Sequence, residues 1–281
     1  MRNLLVLTLA LTLGGCTVGL EPVAGGEEDV TGDEHDAGED EPGPGTGEGI
    51  AGAIAADTTW SGTVRIKGAT TIAPGVTVTV APGTTLNFAS STRIQVDGTL
   101  KIDGTAAAKV NLQAEAGATY YSGFQINGTL TMAYAVVKGG AITINPGSNV
   151  TISDSKMWGA GGDYVIMNGG TFTMTYSQVG ADPGVADTTH CNLHLNGGTI
   201  SVTRSNINGA PYGLMLYGGN NAVFTNNNWF DNPKDVDTSP GVSGDFSGSY
   251  FQKGQPAAVG GATLTYNNLA PAKLTDAGPR G

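Results

Sequence analysis

Cysteine is nearly absent. Cys16 and Cys191 are the only two, and they lie on opposite sides of a strongly acidic stretch, so a disulfide framework is not expected. Basic residues are missing from residues 17–50, which hold 11 acids and no Lys or Arg. Residues 51–281 hold 13 acids and 12 bases, and Arg2 completes the sum −11 − 1 + 1 = −11. The body is therefore close to neutral and has no basic excess with which to displace counterions, which argues against nucleic acid as a partner. The apolar run at residues 4–13 is too short to span a bilayer. No window carries a sustained helical period, which removes the helical fold classes.

What is abundant is glycine, 45 residues of 281, together with threonine. Glycine marks tight turns and threonine suits pleated strands, so the body reads as β-rich. Val76-Thr77-Val78-Thr79-Val80, Thr92-Arg93-Ile94-Gln95-Val96 and Thr99-Leu100-Lys101-Ile102 alternate apolar and polar residues between Pro-Gly and Asp-Gly turn signals.

The body also repeats. Phe124-Gln125-Ile126-Asn127-Gly128-Thr129-Leu130-Thr131-Met132 aligns with stretches starting at Val165 and Leu193, and more loosely at Ile142 and Leu214. A period of roughly 20 residues predicts a solenoid, each copy one coil that buries its apolar face against its neighbours. Alternation assigns three inward ladders: Ile126, Ile144, Met167, Leu195 and Leu216; Leu130, Val150, Phe172, Ile200 and Ala222; and Met132, Ile152, Met174, Val202 and Phe224. A fourth, of small side chains, runs Ala135, Ser155, Ser177, Ser205 and Asn227, and a fifth runs Val137, Met157, Val179, Ile207 and Trp229. Stacked Ser and Asn can hydrogen-bond along the axis or simply turn the corner.

Residues 1–15 have the positive start and apolar run of a secretory signal, and Leu13-Gly14-Gly15-Cys16 resembles a bacterial lipobox. The resemblance implies lipidation of Cys16 (palmitate among the acyl chains), membrane anchoring, and an outer-membrane or cell-surface address, since Thr17 is not the Asp of an inner-membrane retention signal. Residues 16–50 then form an acidic, Gly-rich tether too polar to fold. No Asp/Asn spacing in it matches an EF-hand loop; no cofactor is expected, Ca²⁺ being the one ion its acids admit.

Pro74-Gly75-Val76-Thr77-Val78-Thr79-Val80-Ala81-Pro82-Gly83-Thr84, Val96-Asp97-Gly98-Thr99-Leu100 and Thr225-Asn226-Asn227-Asn228-Trp229-Phe230, with the repeat, resemble right-handed parallel β-helix proteins of the pectate-lyase-like class. The resemblance covers about residues 60–250 and implies an all-β solenoid of about nine coils. The expected organisation is residues 1–15 signal, 16–50 lipidated Cys and tether, 51–252 β-helix, and 253–281 a C-terminal cap or tail.

The polysaccharide-active members of that class imply paired carboxylates or a Lys/Arg base beside acids. Arg65-Ile66-Lys67 has the letters of one such motif without its companions, and no Asp-Asp pair occurs in the body. The weak catalytic candidates are Asp182 and Asp187 on a long loop at 180–190, and Asp154 and Arg204 on an outward stripe Tyr134, Asp154, Tyr176, Arg204, Asn226. That stripe could also be a solvated face with a weak ion pair. In His190-Cys191-Asn192-Leu193-His194, alternation turns Cys191 inward and His190, Asn192 and His194 outward. Histidines four apart on a strand lie about 13 Å apart and cannot share a metal unless the strand breaks at His190, so no metal is expected. Ligand-binding candidates are Tyr164, Tyr176, His190, His194, Tyr212 and Tyr217, near outward Ile166 and Met215.

The expected function is a non-catalytic scaffold binding a polysaccharide or an envelope protein. The alternatives are a lyase or glycoside hydrolase, recognised by two carboxylates and a Lys or Arg converging in a groove, and an architectural protein assembling through its ends.

Overall fold

A computed structural model describes residues 49–219, 221–257 and 259–281. The expected signal segment, Cys16 and the expected tether before residue 49 lie outside the described residues. Within them the chain is a parallel β-solenoid of about ten turns, with no helix.

A full coil lays down three strands, the last two coils fewer, and the rungs are parallel because successive coils run in the same direction. The first face is a sheet of ten strands, from Thr58–Trp60 to Thr263–Thr265. The other seventeen strands form the second and third faces. The ten-residue strand Thr63–Ile72 joins these two, because its first half pairs with Thr85–Phe88 and its second with Arg93–Val96. The tenth coil, beyond the nine expected, ends in Thr263–Thr265, within a stretch the sequence pattern had assigned to the cap.

The register puts the repeat in place. Ile126, Ile144, Met167, Leu195 and Leu216 stack on the third face and are all fully buried. Leu130, Val150, Phe172 and Ile200 stack on the first, as do Met132, Ile152, Met174 and Val202. Towards the C-terminal end the interior widens into aromatics: Phe246 stacks on Phe224 at 5.0 Å and on Tyr266 at 5.3 Å.

The small-residue ladder hydrogen-bonds along the axis. Ser177 Oγ accepts from the Ser155 N–H at 3.2 Å, Ser205 Oγ from Ser177 N–H at 3.1 Å, and Asn227 Oδ1 from Ser205 N–H at 2.8 Å. Each serine hydroxyl also donates to a carbonyl two residues earlier, as Ser177 does to Thr175 at 2.9 Å. These backbone N–H groups sit at a bend where the sheet ladder cannot satisfy them, and a short side chain from the next coil does so instead.

The residue before that ladder makes the bend. Tyr134, Asp154, Tyr176, Arg204 and Asn226 all have positive φ, between 46° and 57°. The left-handed conformation costs roughly 1–3 kcal/mol for a residue with a side chain, and here it recurs at the same corner of successive coils. The stripe is thus a row of corner residues and not one side of a pleated strand. Asp154 is 4% exposed, which corrects its reading as part of a solvated face.

The outer side of the first face is made of short uncharged side chains over four in-register strands, Thr129–Ala133, Asn149–Ser153, Thr171–Thr175 and Thr199–Thr203. One file runs Thr129, Asn149, Thr171, Thr199, and the next runs Thr131, Thr151, Thr173, Ser201. A third runs Ala133, Ser153, Thr175, Thr203.

After the last coil the chain turns back along the corner stripe. Ala270 N–H donates to Ser249 O at 2.9 Å. Leu274 exchanges two hydrogen bonds with the Asn228 amide, at 2.8 and 2.9 Å. Gly278 N–H then reaches Arg204 O at 2.9 Å, and Arg280 reaches Asp154.

Candidate functional site

On the third face the strands Val165–Met167, Cys191–Asn196, Tyr212–Gly218 and Lys234–Thr238 lie side by side. Their outward file is Ile166, His194, Met215 and Asp237. The strand begins only at Cys191, so His190 is free of the pleat and turns back towards His194. The two imidazoles share one carboxylate. His190 Nδ1 lies 2.9 Å from Asp163 Oδ1, and His194 Nδ1 lies 2.6 Å from Asp163 Oδ2. Asp163 comes from the short insertion before Val165.

The cluster extends along the face. His190 packs on Tyr212 with ring centroids 5.1 Å apart, and His194 meets Tyr217 edge to face at 5.3 Å. Tyr217 donates its hydroxyl to Asp237 at 2.7 Å, and Lys234 Nζ donates to the other Asp237 oxygen at 2.7 Å. Tyr217 owes its position to a bulge. Leu195 pairs with Leu216 but Asn196 pairs with Gly218, so Tyr217 is an extra residue, and it is 39% exposed.

The electrostatics follow from these contacts. The hydrogen bond to Asp237 pushes the Tyr217 phenol up to about 12, so it remains a neutral donor. Burial alone would raise Asp237, but Lys234 and Tyr217 together hold it below the usual carboxylate range. Burial pushes the Cys191 thiol up to about 12.

A neutral imidazole has one N–H. A carboxylate accepting from Nδ1 fixes that tautomer and leaves Nε2 as an acceptor. Among the described residues neither Nε2 has a hydrogen-bond partner. With both rings neutral, the arrangement offers two oriented acceptors beside an exposed aromatic ring and a lysine. Among the described residues no group of three or more His, Cys, Asp or Glu could hold a metal ion.

His190, His194, Tyr212 and Tyr217 come together here; the other sequence candidates do not. Tyr164 is fully buried and is not part of the surface. Tyr176 lies under the guanidinium of Arg280, 3.8 Å from its ring centroid. Asn192, read as outward, is buried and donates to Asn208 O at 2.9 Å, because the corner at 208–211 folds over it.

The four acid/base candidates each have a separate partner. Asp154 is paired with Arg280, Arg204 with Asp276, and Asp182 with Lys156 and Gln178. Asp187 caps the N–H groups of Gly159, Ala181 and Thr189 and so pins the long loop to its neighbours. Asp182 and Asp187 do line one cavity of about 290 Å³ with Asn208 and Asp231.

Asp163, Lys234 and Asp237 were missed. Lys234 and Asp237 follow from the register of the third face, which the sequence shows only once the bulge at Tyr217 is known, and Asp163 lies in an insertion that the repeat does not place. No protein-family model matches the chain, and neither a curated protein nor a solved structure does.

Proposed function

We propose that this protein is a lipid-anchored bacterial surface protein whose β-helix binds a neutral polysaccharide on its third face, without cleaving it. One observation carries the binding reading: a single carboxylate, Asp163, holds both His190 and His194 through Nδ1 beside the exposed Tyr217 ring. Sugar hydroxyls donate to Nε2 acceptors, and the apolar face of a pyranose ring packs on tyrosine, an amphipathic surface with a polar tip. The lipobox-like Leu13-Gly14-Gly15-Cys16 and the acidic stretch after it support the anchor.

Glycan-array binding by the purified protein, repeated with His194→Ala and Tyr217→Ala, tests the site. Binding of neutral glycans that both variants lose supports it, and wild-type binding to none overturns it. Loss of fatty-acid labelling in Cys16→Ala tests the anchor.

A second reading, a lyase or hydrolase, draws on the cavity lined by Asp182, Asp187 and Asp231. Asp187 is occupied by three backbone N–H groups and Asp182 by Lys156 and Gln178, so the cavity supports that reading less well. Release of reducing ends or unsaturated products from a bound glycan would favour it.

A further inference from the structure

The outer side of the first face has no place in that function, yet its four strands stay in register without a shift. Over four strands its three files contain threonine everywhere except Asn149, Ala133, Ser153 and Ser201. All are partly or fully exposed, and none is charged or aromatic. No side chain in the three files has a hydrogen bond to another protein group among the described residues. The lattice has edges: Lys101 and Asp103 stand opposite Thr131 and Ala133 at one end, and Val223 followed by Asp245 stands beyond Ser201 at the other.

We propose that this face binds ice. Hydroxyls in successive coils repeat at about 4.8 Å, the spacing of neighbouring strands. Oxygens joined by O–H···O bonds of about 2.75 Å in a tetrahedral network have second neighbours about 4.5 Å apart. One water can therefore bridge each pair of stacked hydroxyls, and a file of threonines orders a row of waters at nearly the repeat they hold in ice. Each hydroxyl both donates and accepts, as that network requires. The threonine methyls between the hydroxyls keep disordered water out.

Charge complementarity points the same way. An uncharged lattice faces an uncharged partner and offers nothing to a phosphate or a carboxylate. With no Tyr, Trp or Arg it lacks the anchors that dominate protein interfaces, and it has no ring on which a sugar could pack.

The test is partition of the purified full-length protein into slowly growing ice, with inhibition of ice recrystallisation as the second readout. Wild type enriches in the ice fraction and keeps crystals small. Thr151→Tyr combined with Thr173→Tyr, which suits an exposed strand and breaks the lattice, loses both activities with an unchanged β-sheet circular dichroism spectrum. Thr151→Lys with Thr173→Lys loses both as well, and His194→Ala, on the other face, keeps both. Exclusion of wild type from ice overturns the proposal, as does retention of activity in both double variants. Failure to partition combined with binding to microcrystalline chitin or cellulose, lost in the same variants, would assign the face to a crystalline polysaccharide instead.

Discussion

Arg280 grips Asp154 across 126 residues of sequence: Nε lies 2.7 Å from Oδ1 and Nη2 lies 2.8 Å from Oδ2. The Asp154 side chain is only 3% exposed, and the guanidinium also covers the Tyr176 ring. Removing the arginine side chain takes both guanidinium hydrogen bonds from the carboxylate and uncovers it, leaving only the backbone N–H of residue 280 at 3.3 Å. Arg280→Ala is therefore expected to lower the denaturant midpoint. Asp154→Asn with Arg280→Ala should cost less than the two single changes added together. Additive losses would show that the pair is no more than a surface contact.

Ser177 sits in the middle of the axial ladder. Its hydroxyl satisfies the buried N–H of Ser155 and has its own partner in Thr175 O. Ser177→Ala orphans that N–H at a cost of about 1–3 kcal/mol. Ser177→Thr retains the hydroxyl and is expected to cost less. Urea unfolding of both variants checks the order. An alanine variant as stable as wild type would mean that the ladder only turns the corner.

These two sites differ in how far the sequence revealed them. The serine ladder was legible because Ser155, Ser177 and Ser205 recur at one position of a repeat, and any parallel stack brings them together. The inward ladders were legible for the same reason, since a two-residue alternation fixes which side faces the core. The Asp154–Arg280 pair was not, because the returning tail has no repeat and its contacts depend on where the last coil ends. The corner stripe was misread because alternation assumes extended backbone, and Asp154 has φ of 49°. His190 and His194 were singled out as residues, but Asp163, which joins them, lies 27 and 31 positions earlier in an insertion outside the repeat.

Asp235 works against the fold at neutral pH. It is 7% exposed, and burial raises its pKa, only partly offset by the hydrogen bond from Asn232 and the charge of Lys253. A carboxyl with a folded pKa above its unfolded value binds protons more readily in the native state, so its contribution to stability falls as pH rises from the unfolded towards the folded value. Asp235→Asn is expected to raise the thermal midpoint at pH 7 and to flatten the stability gain on mild acidification. An unchanged pH profile would place the carboxylate in contact with water in solution.

Cys191 reports on both the core and the proposed anchor. It is fully buried, and its thiol is pushed up to about 12, so little thiolate exists at neutral pH. If Cys16 carries a thioether-linked lipid, protein extracted from membranes should show no reactive thiol when native and a single one when denatured. A second thiol in the denatured protein would mean that Cys16 is unmodified. Rapid native labelling that the Cys191→Ala variant abolishes would mean that the third face opens.

Tyr217 separates the two contributions of its side chain to the proposed glycan site. The ring meets His194 edge to face, while the hydroxyl is already committed to Asp237. A sugar packing on the ring needs the ring and not the hydroxyl. Tyr217→Phe should therefore bind within about threefold of wild type, whereas Tyr217→Ala should bind about tenfold more weakly, the equivalent of about 1.4 kcal/mol. Asp163→Asn leaves Tyr217 in place but keeps only one acceptor oxygen; its NH2 faces the Nδ1 of the other imidazole and moves that ring's proton to Nε2, so one of the two Nε2 acceptors is lost and binding should weaken. Equal affinities for Tyr217→Phe and Tyr217→Ala would show that the phenol hydroxyl, through Asp237 and Lys234, is what holds the site together.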